Sequence, residues 1–454
     1  MEFQAITKRL WRQPPFLVIA AFGVLDLLGA AILLMPGMHY HGLSLLDALF
    51  TSTSAVCVTG LTVTDTASSF TRQGHFVIMA LIQIGGLGVM TISTLLFLTI
   101  GQPIKISHKL FLKETFLYKH TPTLGSLLTT ILLYTFTAEA AVALSLTFFF
   151  LRFLPPDEAL FQGVFHAVSA FCNAGFSTFD NGLYPFKSNV GVLITIMAAI
   201  MLGNTGFAIA YEIGERFLKG NRRTWSLNFR LTVYTHVILL VAGTLCFFLF
   251  EKGNALADMD FKTKWLTSLF HSVSLRTAGF NTVDISSLTE DTLYIMLILM
   301  AIGACPGSTG GGLKTTTLAS LWVTAISRLK GYTKSTISRR TIPDHTIQQV
   351  LVLLTLYVSA ILLSHLLMMV SGRNHPFLSG SNRFLATLFE SVSALGTVGL
   401  TLDLTPKLNT SGKIIIICTM FIGRVGLLSL VSALTQGVTK PKPYHYASED
   451  IMVG

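Results

Sequence analysis

Four short stretches of the chain share one pattern, and each ends in backbone suited to holding an ion. They read Phe50-TSTSAVCVT-Gly60, Phe165-HAVSAFCNA-Gly175, Phe270-HSVSLRTA-Gly279 and Phe389-ESVSALGTV-Gly399. Three carry Ser-Ala at a common offset (Ser54-Ala55, Ser169-Ala170, Ser393-Ala394), and the third copy is one residue shorter. A polar run and an acid follow each glycine: Asp65, Asp180, Asp284 and Asp403. Glycine permits backbone angles that turn consecutive carbonyls to one side and lets backbones approach closely. Four such turns about one axis would form rings of carbonyl oxygens, which replace the water shell of a monovalent cation. The candidate ligands are the main-chain oxygens of Val58, Thr59, Gly60, Asn173, Ala174, Gly175, Thr277, Ala278, Gly279, Thr397, Val398 and Gly399. Each copy has one glycine where the TVGYG potassium-channel filter has two. Fewer strong sites and looser selection of K+ over Na+ are expected.

These stretches need elements that hold them at depth. Apolar runs long enough to span a bilayer, roughly 20 residues, cover 16–35, 76–100, 126–151, 190–214, 230–250, 293–325, 347–371 and 413–436. Between each odd and even span lies a run too short to cross: 45–60, 160–175, 265–279 and 384–399. The order span, half-span, span thus occurs four times. The second spans repeat a further motif, Gly85/Gly88, Gly203/Gly206 and Gly423/Gly426, with Gly303 opening the third copy. Two motifs recurring in one order make an internal repeat. The expected fold is an all-α integral membrane protein of four tandem repeats around a pseudo-fourfold pore. The repeats cover 1–110, 111–222, 223–340 (second span broken at 303–315) and 341–454. Each half-span reads as a helix that descends and an extended segment that climbs back, because non-helical chain at membrane depth must be buried or line a watery cavity.

Composition agrees. Of 454 residues 51% are hydrophobic and 12% charged, with a mean hydropathy of +0.64; soluble domains carry about 25% charged residues. Five scattered cysteines exclude a disulfide scaffold, and no Cys-x-x-Cys or His-rich tract suggests a metal centre. The net charge of +10 does not point to nucleic acid: 19 of the 32 Lys and Arg fall on the side of the N-terminus, which the positive-inside rule makes cytoplasmic. Both termini are then cytoplasmic, and the half-spans enter from outside. The first apolar run follows Lys8, Arg9 and Arg12, but it is long enough to span and reads as a transmembrane helix rather than a signal peptide.

A second group of residues lies below the expected filter. Cys305, Pro306, Gly307, Ser308, Thr309, Gly310, Gly311, Gly312 and Lys314 interrupt the sixth span. Each interior glycine costs a helix about 1 kcal/mol and proline about 3, so an irregular loop is expected, able to block the path when ordered. A plain helix kink is the alternative. Arg424 lies one residue past Gly423 in the last span, where a cation costs at least about 2.5–3.5 kcal/mol. It either faces the pore or pairs with a carboxylate. Lys314 either snorkels to the cytoplasmic face or touches the gate. Asp26 and Glu139, within spans, are structural partners or sites for H+ or Na+. His166 and His271 share one place and pack behind a pore loop rather than bind metal. No Gly-x-x-x-x-Gly-Lys-Ser/Thr is present, so a phosphate loop is not expected.

With these motifs in order, the chain resembles the Trk/Ktr/HKT superfamily of potassium transporters. The segments Ser-Ala-Phe-Cys-Asn-Ala-Gly-Phe at 169–176, Arg-Thr-Ala-Gly-Phe-Asn at 276–281 and Gly307-STGGGLK-Thr315 are similar to that family's second and third pore loops and its intramembrane gating loop. The length is most like the bacterial Ktr membrane subunit. The resemblance implies K+ uptake across the cytoplasmic membrane, with Na+ dependence, and Arg424 in the pore below the filter. It also implies a homodimer in the lipid bilayer and a ring of nucleotide-binding regulatory subunits at the basic loops and the tail 440–454. No organic cofactor, nucleic-acid partner or enzymatic activity is expected. The rival reading is an alternating-access carrier coupled to Na+ or H+. It calls for inverted repeats, whereas every half-span here lies on one side.

Overall fold

The computed structural model describes residues 14–88, 124–218, 225–337, 340–372 and 383–427. Parts of two expected second spans (89–100 and 428–436), the basic segments at 8–12, 105–119 and 219–223, Arg339 and the tail 440–454 lie outside the described residues.

The first half of the ring is built from α1 (Pro14–Leu33), α2 (Leu45–Val56) and α3 (Arg72–Gly86), then α4 (Leu124–Phe150), α5 (Pro156–Cys172), α6 (Val190–Asn204) and α7 (Phe207–Leu218). The rest comprises α8 (Leu227–Glu251), α9 (Phe261–Ser274), α10 (Glu290–Ala301), α11 (Thr315–Leu329), α12 (Asp344–Ser371), α13 (Arg383–Gly396) and α14 (Thr410–Val425). Helices α1, α4, α8 and α12 are long and apolar enough to cross a membrane. At 1.5 Å per residue, the 20 residues of α1 reach about 30 Å, the thickness of the hydrocarbon core. Only 22–33% of their apolar windows is buried in protein. Leu27, Leu144, Ile238 and Val370 stand more than 60% exposed, a surface suited to lipid and costly in water.

The short helices are the opposite case. The 12 residues of α2 reach only about 18 Å. Ser44 caps α2 by accepting from Asp47 N, and Asp260 caps α9 by accepting from Lys262 N. From there each helix runs inward and ends fully buried. The phenylalanines that open the repeated pattern, Phe50, Phe165, Phe270 and Phe389, are all 0% exposed and anchor the short helices in the core. The assembly closes on itself: α3 packs on α5, α6 on α9, α10 on α13, and α14 back on α2.

The second spans at 76–100, 190–214 and 413–436 differ from the expectation of unbroken helices, while that at 293–325 breaks between Ala301 and Thr315, within the stretch where an interruption is expected. α3, α6 and α14 stop at the Gly-x-x-Gly motif. Its two glycines have different tasks. The first, Gly85, Gly203 or Gly423, lies against the main-chain oxygen at the end of a short helix (Val56, Phe171 and Leu395), where a Cβ would not fit. The second, Gly88, Gly206 or Gly426, takes φ of 76°, 77° or 89° and ends the helix. A run of apolar residues cannot reveal this break, because both halves remain equally apolar.

Candidate functional site

The end of each short helix determines the site. Val58, Asn173, Thr277 and Thr397 take positive φ (56°, 61°, 65° and 49°), and two residues later Gly60, Gly175, Gly279 and Gly399 do so again (92°, 70°, 76° and 92°). Positive φ at alternate residues turns successive carbonyls towards one side. Positive φ is expected of glycine but is an outlier for β-branched residues, and such strain gathers at functional sites. The pattern sought only the glycine; the strained residue before it carries no local signal.

The four turns meet. A methyl group built on Gly60 would lie 3.2 Å from Gly175 Cα, on Gly175 3.0 Å from Gly279 Cα, on Gly279 3.4 Å from Gly399 Cα, and on Gly399 3.1 Å from Gly60 Cα. The ring closes in chain order. The oxygens of Ala174, Ala278, Val398 and Thr59 lie against the glycine of the neighbouring stretch. Among the described residues, none of the main-chain oxygens of 58–60, 173–175, 277–279 and 397–399 accepts a hydrogen bond from the protein. Buried carbonyls are paired in more than about 90% of cases, so a ring of free ones is a ready ligand set for a cation. Thr59 Oγ1, Thr277 Oγ1, Thr397 Oγ1 and Asn173 Oδ1 are also buried without a partner.

The serine four residues past each phenylalanine ties the turn to its helix. Ser54 and Ser393 accept from the N–H of Gly60 and Gly399 at 3.1 Å. Ser169 and Ser274 instead donate to the oxygens of Phe176 (2.7 Å) and Phe280 (2.5 Å). The missing residue of the third copy is absorbed in the last helical turn: the oxygen of Ser274 accepts from both Ala278 N and Gly279 N. The ring opens on a polar vestibule of about 180 Å³ lined by the four glycines and by Asp65, Asp284 and Asp403. Asp180, expected beside them, does not line it.

Below the ring, the break between α10 and α11 is a loop rather than a kink. It is bounded by Gly303 N donating to Leu313 O (2.8 Å) and Thr315 N donating to Ala304 O (3.2 Å). Its tip lies under the turns: a methyl group on Gly310 would lie 2.5 Å from Thr277 Oγ1, and one on Gly311 would meet Thr397 Oγ1. Ser308 donates within the loop to Cys305 O, Pro306 O lies against Gly206, and Gly307 O accepts from Phe207 N. Thr309 Oγ1 donates to Phe171 O at 3.0 Å and accepts from Asn173 Nδ2 at 3.1 Å. Lys314 curls back to donate to Gly310 O at 2.8 Å, and Gly312 takes φ of 67°.

Arg424 donates Nη1 to Thr309 O and Nη2 to Gly85 O. Among the described residues it forms no ion pair with a carboxylate. Arg276 is 0% exposed, donates Nη2 to Gly303 O at 2.9 Å, and has Nε and Nη1 unpartnered. No role was assigned to it from sequence, although an arginine inside a half-span is itself a signal. Glu139 accepts from the Cys172 thiol at 3.8 Å, and the main-chain oxygen of Asp26 accepts from Ser52.

The sequence profile of TrkH, a cation transport protein family, matches residues 9–442. The chain belongs to this cation transport family. Among its relatives, Ktr system potassium uptake protein B of Bacillus subtilis is 35% identical over 97% of this chain and 97% of its own length. Potassium/sodium uptake protein NtpJ of Enterococcus hirae is 35% identical over 99% and 98%. The crystal structure of the potassium transporter TrkH from Vibrio parahaemolyticus has the same fold, with a TM-score of 0.73 over 94% of this chain and 85% of that one at 19% identity. As a member of the cation transport family, the chain is a multi-pass membrane transport protein, not an enzyme.

Proposed function

We propose that this chain takes up potassium through the ring at Gly60, Gly175, Gly279 and Gly399. The supporting observation is the closed set of inward carbonyls that no protein group satisfies. Such oxygens exchange with the hydration shell of K+ at little cost. The vestibule acids Asp65, Asp284 and Asp403 gather cations, and an inside-negative potential adds about 2.3 kcal/mol per charge per 100 mV. The loop at 305–314 is the gate, and Arg424 holds it shut below the filter. The four repeats, 1–110, 111–222, 223–340 and 341–454, each contribute one quarter of the pore.

The protein sits in the cytoplasmic membrane with both termini inside. Na+ accompanies or supports uptake, as the name of the Enterococcus relative suggests for that protein. The protein works as a homodimer with a ring of nucleotide-binding regulatory subunits. The Bacillus relative, named as protein B of a system, supports a multi-component assembly.

The test is growth at low K+ of bacteria without their own potassium uptake, given this chain with and without a regulatory subunit. Rescue that is abolished by Gly399→Ser supports the reading. Rescue that survives Gly399→Ser unchanged overturns it.

A further inference from the structure

The residue after each short-helix phenylalanine occupies one place in all four copies: Thr51, His166, His271 and Glu390. In three of them its side chain reaches the strand that climbs back from the filter. His166 Nε2 bonds to Ser177 Oγ at 3.0 Å, and His271 Nε2 to Thr282 Oγ1 at 3.2 Å. Glu390 Oε2 accepts from Thr401 Oγ1 at 2.8 Å, and its Oε1 accepts from the hydroxyl of Thr405. Ser177, Thr282 and Thr401 lie two or three residues past the filter glycine. In the first copy the Thr51 hydroxyl is buried and unpartnered. The strut is a recurrent feature, and Glu390, at 0% exposure, is its one acidic member.

The proton inventory fixes how Glu390 acts. Thr401 Oγ1 already accepts from Leu404 N (3.2 Å) and Thr405 N (3.4 Å). A hydroxyl has one hydrogen, so that hydrogen goes to Glu390. The Glu390 oxygen is therefore the acceptor. These bonds close the turn 401–405, which begins two residues after Gly399. The turn carries Asp403, at φ 57°, to the edge of the vestibule.

We propose that Glu390 is a positioning residue for ion selection: through Thr401 and Thr405 it sets the height of the fourth filter turn and the place of Asp403 at its mouth. The inference rests on the filter reading above. Discrimination between K+ and Na+ depends on where the coordinating carbonyls stand and how stiffly they are held. A strut that joins the pore helix to the returning strand controls both.

The experiment compares K+ and Na+ uptake by the full chain in proteoliposomes. Thr401→Val, nearly isosteric, removes the donor; it is expected to lower K+ over Na+ discrimination about fivefold, the order of losing one hydrogen bond, while K+ uptake continues. Thr401→Ser keeps the donor and should retain discrimination. Glu390→Gln can accept from Thr401 and donate to Thr405, so it should retain most of it, whereas Glu390→Ala should not. Equal loss of K+ and Na+ uptake, or unchanged discrimination in Thr401→Val, overturns the proposal. Absence of folded protein for both Thr401→Val and Glu390→Ala also overturns it, since the strut would then be structural only. If Gly399→Ser alters discrimination and the strut variants do not, the filter reading stands and this inference alone fails.

Discussion

Arg424 on α14 donates Nη1 to the main-chain oxygen of Thr309, 2.5 Å away, so the last helix holds the loop that interrupts the third repeat. The same guanidinium reaches Gly85 O at the end of α3. One side chain therefore ties together three elements that meet below the filter. Thr309 is held a second time through its hydroxyl, by Phe171 O and Asn173 Nδ2. The loop and the second turn of the ring thus share Asn173.

Removing the arginine should loosen the loop. Hydrogen bonds to charged groups contribute about 1.5–3 kcal/mol, which corresponds to about a 10- to 100-fold shift towards the displaced loop. Arg424→Gln is expected to raise K+ flux of the chain alone in proteoliposomes. Arg424→Lys should be intermediate, because an ammonium is a point charge and cannot span two carbonyls as a planar fork does. Flux at or below the unmodified level would contradict the latch.

The four glycines of the ring should not be equally sensitive. A methyl group on Gly175 would stand 2.9 Å from Ala278 O, and one on Gly60 2.5 Å from Ala174 O, while the approaches at Gly279 and Gly399 are closer still. Gly175→Ala is expected to retain the most K+ uptake and Gly399→Ala the least, measured as growth at limiting K+ with protein level controlled. The reverse order would mean that steric crowding does not govern the ring.

The loop itself offers a direct readout. Cys305 is only 2% exposed with the loop in place. Gly310→Ala adds a methyl group 2.5 Å from Thr277 Oγ1 and 2.7 Å from Asn204 Oδ1, which the packed loop cannot accommodate. Maleimide labelling of Cys305, with the other cysteines replaced, should be faster in Gly310→Ala, together with higher flux. Labelling at the original rate would show that the loop tolerates the group.

A contact that does not line the vestibule should leave ion selection unchanged. Lys413 pairs with Asp47 at 2.5 Å and joins α14 to α2, with side chains 19% and 18% exposed. Fully exposed pairs contribute about 0–1 kcal/mol, and removing one partner of a pair as covered as this one costs more. Asp47→Asn is expected to lower the melting temperature in detergent and leave the K+ to Na+ ratio unchanged. A change in that ratio would place this pair in the permeation path.

The chain's own order of residues determined the alternation of long and short apolar runs and the four glycines that meet in the ring. Each is a local requirement: an apolar length matched to a bilayer, a run too short to cross, a residue without Cβ at a constant offset. Only the tertiary structure decided where the second helices stop, why Val58, Asn173, Thr277 and Thr397 are strained, and what Arg424 touches. Those outcomes depend on partners remote along the chain. Gly85 accepts from an arginine 339 residues away, and Thr309 donates to an oxygen 138 residues away. Apolar periodicity carries no trace of such bonds, because hydropathy records what a side chain avoids and not which buried group it meets.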